Sequence, residues 1–362
     1  MVASISARKS VSAAVAYFKH LAQDEYYTGD HEADGEWDGR GAERLALEGH
    51  VSKADFEVLL NGRDPKTGEP LAQLGKSHAP GWDMTYSAPK SVSVMWALSP
   101  EADRAKIETA HRAAVHAATA HLEDHHGITR RGKGGALREP VAGLTIARFH
   151  HHTSRDLDPQ LHTHAFIFNS APRRDGTWGT LVSKELYKAQ KETGAVYRAN
   201  LANALEREGF AVERHGTSFR LKAIPKNVEW NFSKRRQSIQ QAAEKFGYRT
   251  PKGMELAALR TRQAKRPRER TALFKAWAQE ARALGFDLQQ AREHVARQPA
   301  PQLSKQSARK AIVSSKPANP ISAPVRHLIR QAAAAVRRTD RMSGIKANLR
   351  QAPKRREPEN ER

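Results

Sequence analysis

The sequence predicts an α/β fold, a two-layer sandwich with a central antiparallel sheet. Three observations predict it. Short runs of strand-like alternation occur as close neighbours, most clearly at 144–151 and 161–169, where only a turn-rich segment separates them. Long stretches with helical periodicity, about 100–126 and 184–209, are interspersed with them. The chain has 362 residues, 39% hydrophobic and 28% charged, enough apolar side chains for a large core under a heavily charged exterior.

Taken in order, Ser10 to Ala22 has the spacing of a helix. A short helix over Asp55 to Asn61 is closed by the turn-rich GRDPKTGEP. Trp82 to Ser87 alternates, with Asp83, Thr85 and Ser87 on one face and Trp82, Met84 and Tyr86 on the other. Ser91 to Leu98 fits either a second strand or the start of a helix. Ser99 as cap and Pro100 at the first helical position open a helix running to about His126. Leu144 to His151 and Leu161 to Asn169 are strands. Lys184 to Gly209 is a helix ended by its glycine. Phe219 to Ala223 is a short strand, and helices over about 234–246 and 269–284 follow. The expected relaxation of order begins near Gln298. Five prolines (Pro299, Pro301, Pro317, Pro320, Pro324) interrupt a Ser/Lys/Gln/Ala-rich stretch that buries too little surface to offset its ordering entropy. The chain thus divides into a folded domain, 1–297, and a basic, largely disordered tail, 298–362, in which Val325 to Leu349 has the composition of a helix formed on a partner.

Lys and Arg total 61 against 39 acidic residues, a formal net charge of +22. Residues 301–362 hold 15 Lys/Arg and four Asp/Glu, so half of the excess sits in the tail and the folded part is basic as well. A polyanion, nucleic acid first, is the partner such a balance suits. The absence of cysteine excludes disulfides, thiolate zinc sites, iron–sulfur clusters and cysteine nucleophiles. With no apolar run of spanning length and no secretory h-region at the N-terminus, the expected setting is cytoplasmic, without membrane insertion.

The chemistry concentrates in residues 148–169. His162 and His164 are two apart on one strand and project from one face, which Phe166 and Phe168 continue. His151, on the preceding strand, shares its face with Phe149 and comes opposite that pair when the strands align. His150 and His152 point the other way. Three converging imidazoles make a metal site with open positions, as catalytic sites require. Most of the 17 histidines are bland by comparison: His111, His116 and His121, five apart on a helix, share no face, and the His121/His125 pair at i, i+4 is a weak signal. Tyr17 and the pair Tyr26 and Tyr27 offer phenols, which are nucleophiles only beside a base or a metal charge. Asp83 is a lone carboxylate in an apolar strand. It must be paired or coordinate something, and it suits a base for a tyrosine or a partner that orients a metal-bound histidine.

Together these pieces resemble the relaxase domain of MobF-type conjugative relaxases, the TrwC/TraI family of HUH endonucleases. The matching segments are AYFKH (16–20), DEYY (24–27), WDGRGAERLAL (37–47), WDMTYSAPKSVSV (82–94), HTSRDLDPQLHTHAFIFN (152–169), DGTWGTL (175–181) and TGAVYRANLANALEREGF (193–210), in order through about residues 1–290. The resemblance implies the HUH relaxase fold and metal-dependent, site- and strand-specific transesterification on single-stranded DNA at an origin of transfer, through a 5′-phosphotyrosine. It implies His151, His162 and His164 as metal ligands, Tyr17 as first nucleophile, and Tyr26, with Tyr27 beside it, as second. Asp83 is then the aspartate near the nucleophile. Arg155 in the TSR motif and Lys265 in RTRQAKRPR reach phosphate. Phe18 follows Tyr17, so Tyr17 is the sole phenol at that position. No GxxxxGK[ST] occurs, so the resemblance is to the relaxase part without a helicase.

The implied cofactor is a divalent metal ion, Mg²⁺ or Mn²⁺ in use, with Zn²⁺, Co²⁺ or Ni²⁺ able to bind because imidazole favours them. The implied partners are single-stranded DNA and accessory DNA-binding and secretion-coupling proteins. Arg130, Arg131, Arg173 and Arg174 are further basic candidates for a DNA groove, and Trp178 and Trp230 for base stacking. Two other readings share part of these features. A rolling-circle replication initiator or single-strand transposase uses the same His and Tyr chemistry on different DNA. A nonenzymatic DNA-binding protein with a structural metal is the other, but structural zinc takes four protein ligands.

Overall fold

A computed structural model of the chain describes residues 3–23, 35–72, 75, 78–262 and 269–297. The expected helix at 325–349 and the expected tail as a whole lie outside the described residues.

At the centre is a five-stranded sheet in the order β1-β3-β7-β6-β2, with antiparallel pairing throughout. The strands are β1 (Ala3–Arg8), β2 (Glu36–Asp38), β3 (Gly81–Ser87), β6 (Ile146–Thr153) and β7 (Pro159–Phe168). The alternation of β3 sorts as its sequence requires. Trp82, Met84 and Tyr86 are buried in one apolar cluster, with Val92, Val94, Ile107, Ala114, Leu186 and Tyr197. These come from α4 (Lys90–Leu98), α5 (Glu101–His126) and α6 (Ser183–Arg207), which form the helical layer. Phe149, Phe166 and Phe168 face the other way, into a second cluster with Phe18 and Phe56. That cluster lies under α1 (Val11–Gln23) and α3 (Lys53–Leu60), two short helices that cover part of the sheet's second face.

Several local choices build this frame. Ser52 caps α3, its hydroxyl accepting from the Asp55 amide at 3.0 Å and donating to its carboxylate at 2.6 Å. The helix α2 (Arg40–Arg44) is introduced by Gly39 at φ +85°, where a Cβ would collide with the Leu144 carbonyl, so glycine lets the chain turn tightly against the sheet. Residues 90–98 resolve as helix. The expected start moves by one residue: Ser99 is extended (φ −79°, ψ 157°) and closes α4, while Pro100, extended at ψ 159°, takes the cap position in place of Ser99, and α5 begins at Glu101. Gly209, at φ +82°, follows α6 as anticipated.

The remaining strands form three small hairpins: β4 (Ile128–Arg131) with β5 (Leu137–Pro140), β8 (Ala171–Pro172) with β9 (Trp178–Gly179), and β10 (Val212–His215) with β11 (Ser218–Leu221). The C-terminal part of the described chain is helical: α7 (Lys226–Asn231), α8 (Lys234–Lys245), α9 (Pro251–Arg260), α10 (Arg270–Ala283) and α11 (Leu288–Arg297). Among the described residues no helix is long and apolar enough to cross a membrane.

Candidate active site

The hairpin of β6 and β7 places His151 directly opposite His162, and Phe149 opposite His164. The three rings of His151, His162 and His164 are mutually 5.2 Å apart between centroids, His151 and His162 stacked and His164 edge-on to both. Two of the three are held in a defined tautomer. His162 Nδ1 donates to the Gln160 carbonyl at 2.9 Å, and His164 Nδ1 donates to the Asp83 carboxylate at 3.0 Å. Each therefore keeps its lone pair on Nε2. Burial, and then the neighbouring His164, hold the His162 imidazole down to about 3, and burial with the same neighbours holds His151 well below the usual imidazole range. His151 and His162 are therefore neutral at physiological pH, the state that binds a metal.

Asp83 brings the nucleophile candidate to this group. Its register on β3 sets it beside Phe166, and Thr85 beside His164. The Tyr17 hydroxyl donates to Asp83 Oδ2 at 2.6 Å and lies 2.9 Å from His164 Nδ1. Asp83 is 3% exposed, so an unpaired charge there would be costly. Burial pushes its carboxyl up, but His164, Tyr17 and Arg8 together outweigh that and hold it below the usual range. The Tyr17 phenol is pushed well above its ordinary value, by burial first and then by the Asp83 charge, while Arg8 and Arg155 pull the other way.

Arg155 sits on the β6–β7 turn. Ser154 organises this turn by accepting from the Asp158 amide at 3.1 Å, and Leu157 occupies the left-handed region at φ +61°. The turn is pinned from outside. Trp277 of α10 donates to the Leu157 carbonyl at 2.9 Å, and Lys234 pairs with buried Asp158 at 3.5 Å. Burial and the charges of Arg262 and Arg235 lower the Arg155 guanidinium, while the electrostatic influence of Tyr17 opposes them. Positive charge from more than one guanidinium thus gathers beside the phenol.

The structure therefore brings together Tyr17, Asp83, His151, His162, His164 and Arg155. Tyr26, Tyr27 and Lys265 lie outside the described residues. The arginines of the small hairpins differ in their surroundings. Arg173 is 8% exposed, donates to the Trp178 and Arg130 carbonyls and pairs with Glu139 at 3.0 Å. Arg131 pairs with Glu139 at 2.8 Å and Asp175 at 2.6 Å. Both tie β4, β5, β8 and β9 to one another. Arg130 is exposed, its Nε donating to Thr180 at 3.1 Å, and Arg174 is exposed. Trp178 packs on the second apolar cluster, whereas Trp230 is 48% exposed. His150 and His152 do face away. His150 bridges Thr163 and Glu36 at 2.7 Å each, and His152 stacks on Trp96.

Two site residues escaped sequence reading. Arg8, on the unread strand β1, lies over the Tyr17 ring at 3.4 Å and reaches Asp83 at 3.4 Å. Thr85 bonds His164 Nδ1 at 3.1 Å. The alternation of ASISAR was the available signal for Arg8, and the shared face with Asp83 was the signal for Thr85.

Comparison with known proteins bears on the family and the fold. Residues 11–284 match the TrwC relaxase family. The multifunctional conjugation protein TraI of Escherichia coli (strain K12) is 33% identical over 305 residues, 80% of this chain. The chain spans only 17% of the length of that relative. Among solved structures, the conjugative relaxase TrwC in complex with oriT DNA, copper-bound, superposes with a TM-score of 0.69 at 33% identity, covering 79% of this chain and 99% of the other. A metal-free complex of TrwC with oriT DNA gives 0.67 at 32% identity, with the same coverage. A family match over three quarters of the chain, with the same fold at this identity, leaves one conclusion: the chain belongs to the TrwC relaxase family.

Proposed function

We propose that this chain is a metal-dependent, site- and strand-specific transesterase that nicks single-stranded DNA at an origin of transfer and rejoins strands in conjugative DNA transfer. The observation that carries the reading is the Tyr17 hydroxyl bonded at 2.6 Å to the carboxylate that also holds His164. Nucleophile and a prospective metal ligand thus share one buried carboxylate, which serves as the base. The solved relatives support it, being complexes of a conjugative relaxase with oriT DNA, in metal-bound and metal-free forms.

The donor set fits a divalent ion. Three imidazoles converge, and for His162 and His164 a hydrogen bond at Nδ1 directs Nε2 to the ligand role. A bound ion would supply positive charge against the nonbridging oxygens of the scissile phosphate. The chain's own residues do the rest. Arg155 positions the phosphate beside the phenol. As the Tyr17 oxygen bonds to phosphorus, its proton passes to Asp83 Oδ2, because the raised phenol is not ionised beforehand. The bond to the 3′ oxygen breaks, leaving a 5′-phosphotyrosine and, after proton transfer, a 3′-OH. Number and type of ester bonds are conserved, so the 3′-OH can reverse the step. Tyr26 or Tyr27 serves as the second nucleophile, a reading that rests on the family motif.

The test uses single-stranded oligonucleotides tiled across inverted repeats in the DNA flanking the coding region, with Mn²⁺ or Mg²⁺. One of them should give a covalent protein–DNA adduct. Tyr17→Phe should remove the adduct and leave DNA binding intact. An undiminished adduct from that variant would move the primary attack to Tyr26 or Tyr27.

A further inference from the structure

The helical layer carries a second cluster of ligating side chains, on the opposite side of the sheet from the three-histidine group. His121 and His126 belong to the C-terminal end of α5, and Glu192 to the facing stretch of α6. Five residues apart, the two histidines are offset by about 140° around their helix, and helical spacing alone would pair His121 with His125. Tertiary packing pairs them otherwise. His121 Nε2 lies 2.9 Å from Glu192 Oε1, and His126 Nε2 lies 3.2 Å from Glu192 Oε2. One carboxylate thus bridges both rings, and one ligand atom from each of the three residues falls within 4.8 Å of the others.

We propose that His121, His126 and Glu192 form a second divalent transition-metal site, of the Zn²⁺, Cu²⁺, Ni²⁺ or Co²⁺ class, that clips the end of α5 to α6. The geometry suits it. Ligand bonds of about 2.0–2.2 Å in a tetrahedral site put neighbouring donor atoms roughly 3.3 Å apart; the two His–Glu spacings, 2.9 and 3.2 Å, lie near that, and the three donor atoms fall within 4.8 Å of one another. Two imidazoles and one carboxylate favour late first-row ions over Mg²⁺, which takes oxygen ligands and near-octahedral geometry. The His121 and His126 side chains are 13% and 17% exposed, so an ion can enter from solvent without opening the core. A further imidazole adjoins the group: the His125 ring is 4.5 Å from that of His121. Coordination through Nε2 moves the hydrogens now shared with Glu192 to Nδ1, so binding needs no rearrangement of the helices.

This proposal does not depend on DNA cleavage, and its test reads metal binding and stability in the full chain. Titration calorimetry with Zn²⁺ on metal-stripped protein should give two ions per chain. His162→Ala/His164→Ala, which damages the first group, should retain one. His121→Ala/His126→Ala should also retain one, and the fourfold variant should retain none with a Kd below about 10 µM. Glu192→Gln keeps the shape and removes the anionic ligand. It should weaken the second ion roughly tenfold or more, and should reduce the rise in Tm that Zn²⁺ produces in His162→Ala/His164→Ala. With Cu²⁺, electron paramagnetic resonance of His162→Ala/His164→Ala should show coupling to two nitrogens. The proposal is overturned if that variant binds no Zn²⁺, or if its binding survives the added His121→Ala/His126→Ala. Should circular dichroism show that His162→Ala/His164→Ala does not fold, wild type against His121→Ala/His126→Ala decides: a fall from two ions to one supports the site, and an unchanged stoichiometry removes it.

Discussion

Asp83→Asn is the substitution that most directly separates the parts of the proposed site. The carboxylate accepts from Tyr17 at 2.6 Å and from His164 Nδ1 at 3.0 Å, and it pairs with Arg8 at 3.4 Å. Asparagine has nearly the same shape but cannot take the phenol's proton, and its amide nitrogen can face His164 only as a donor. Two losses should follow. Removing a positioned general base costs about 10²–10⁴-fold in rate, or roughly 3–5 kcal/mol of transition-state stabilisation. Losing the partner that orients a ligand histidine costs about 10–100-fold in metal affinity. Calorimetry with Mn²⁺ measures the second loss. Single-turnover adduct formation on a nic-containing oligonucleotide at saturating Mn²⁺ then isolates the first. Stability offers a further check of sign. The native pKa of Asp83 is depressed, so its contribution is present above the unfolded carboxyl range near pH 4 and is lost as pH falls through the lower native value. Asp83→Asn should therefore flatten the acid limb of the stability curve. An adduct rate within threefold of wild type at saturating metal would refute Asp83 as base and leave it only a structural partner of His164.

Three other outcomes are expected. His162→Ala should lower Mn²⁺ affinity at the three-histidine group far more than His116→Ala, because His116 is spent on Asp38 at 2.9 Å; equal losses by calorimetry would place the site elsewhere. Lys90 is held down to about 8, by burial above all, so between pH 8 and about 10 the unfolded chain binds a proton that the native chain does not. Stability should rise across that window, by at most about 3 kcal/mol, and Lys90→Met should remove the rise in urea denaturation series. In a two-step assay that loads Tyr17 with one oligonucleotide and then offers a second uncut strand, Tyr26→Phe/Tyr27→Phe should form the first adduct and fail to pass the strand on. Full strand transfer by that double variant would leave a single-tyrosine mechanism.

Much of the site was legible because a strand's side chains alternate. His162 and His164 had to share a face, and a hairpin had to bring His151 to them, whatever the rest of the chain did. The arginines were legible only as charges. Arg130, Arg131, Arg173 and Arg174 read alike in sequence, yet Arg131 and Arg173 pair with Glu139 of β5, and Arg131 also with Asp175 of the β8–β9 turn, acids whose proximity no local pattern announces. The start of α5 falls one residue past the Ser99–Pro100 signal because proline fixes φ but not ψ, and at ψ 159° Pro100 stands before the first turn instead of within it.

The sequence by itself determined the antiparallel α/β class, the histidine hairpin, the neutral-donor chemistry and, through its motifs, the family. Those features depend on residue type and on spacing within one element or one hairpin. Only the tertiary structure decided that β1 pairs with β3, so that Arg8 covers Tyr17, and that α1 carries Tyr17 to Asp83, 66 residues away. It alone decided, too, that Glu192 of α6 gathers His121 with His126 instead of His125. The reason is physical: periodicity sets the direction of a side chain relative to its own backbone, whereas what that side chain meets is set by burial of the two apolar clusters, which draws together segments that share no local signal.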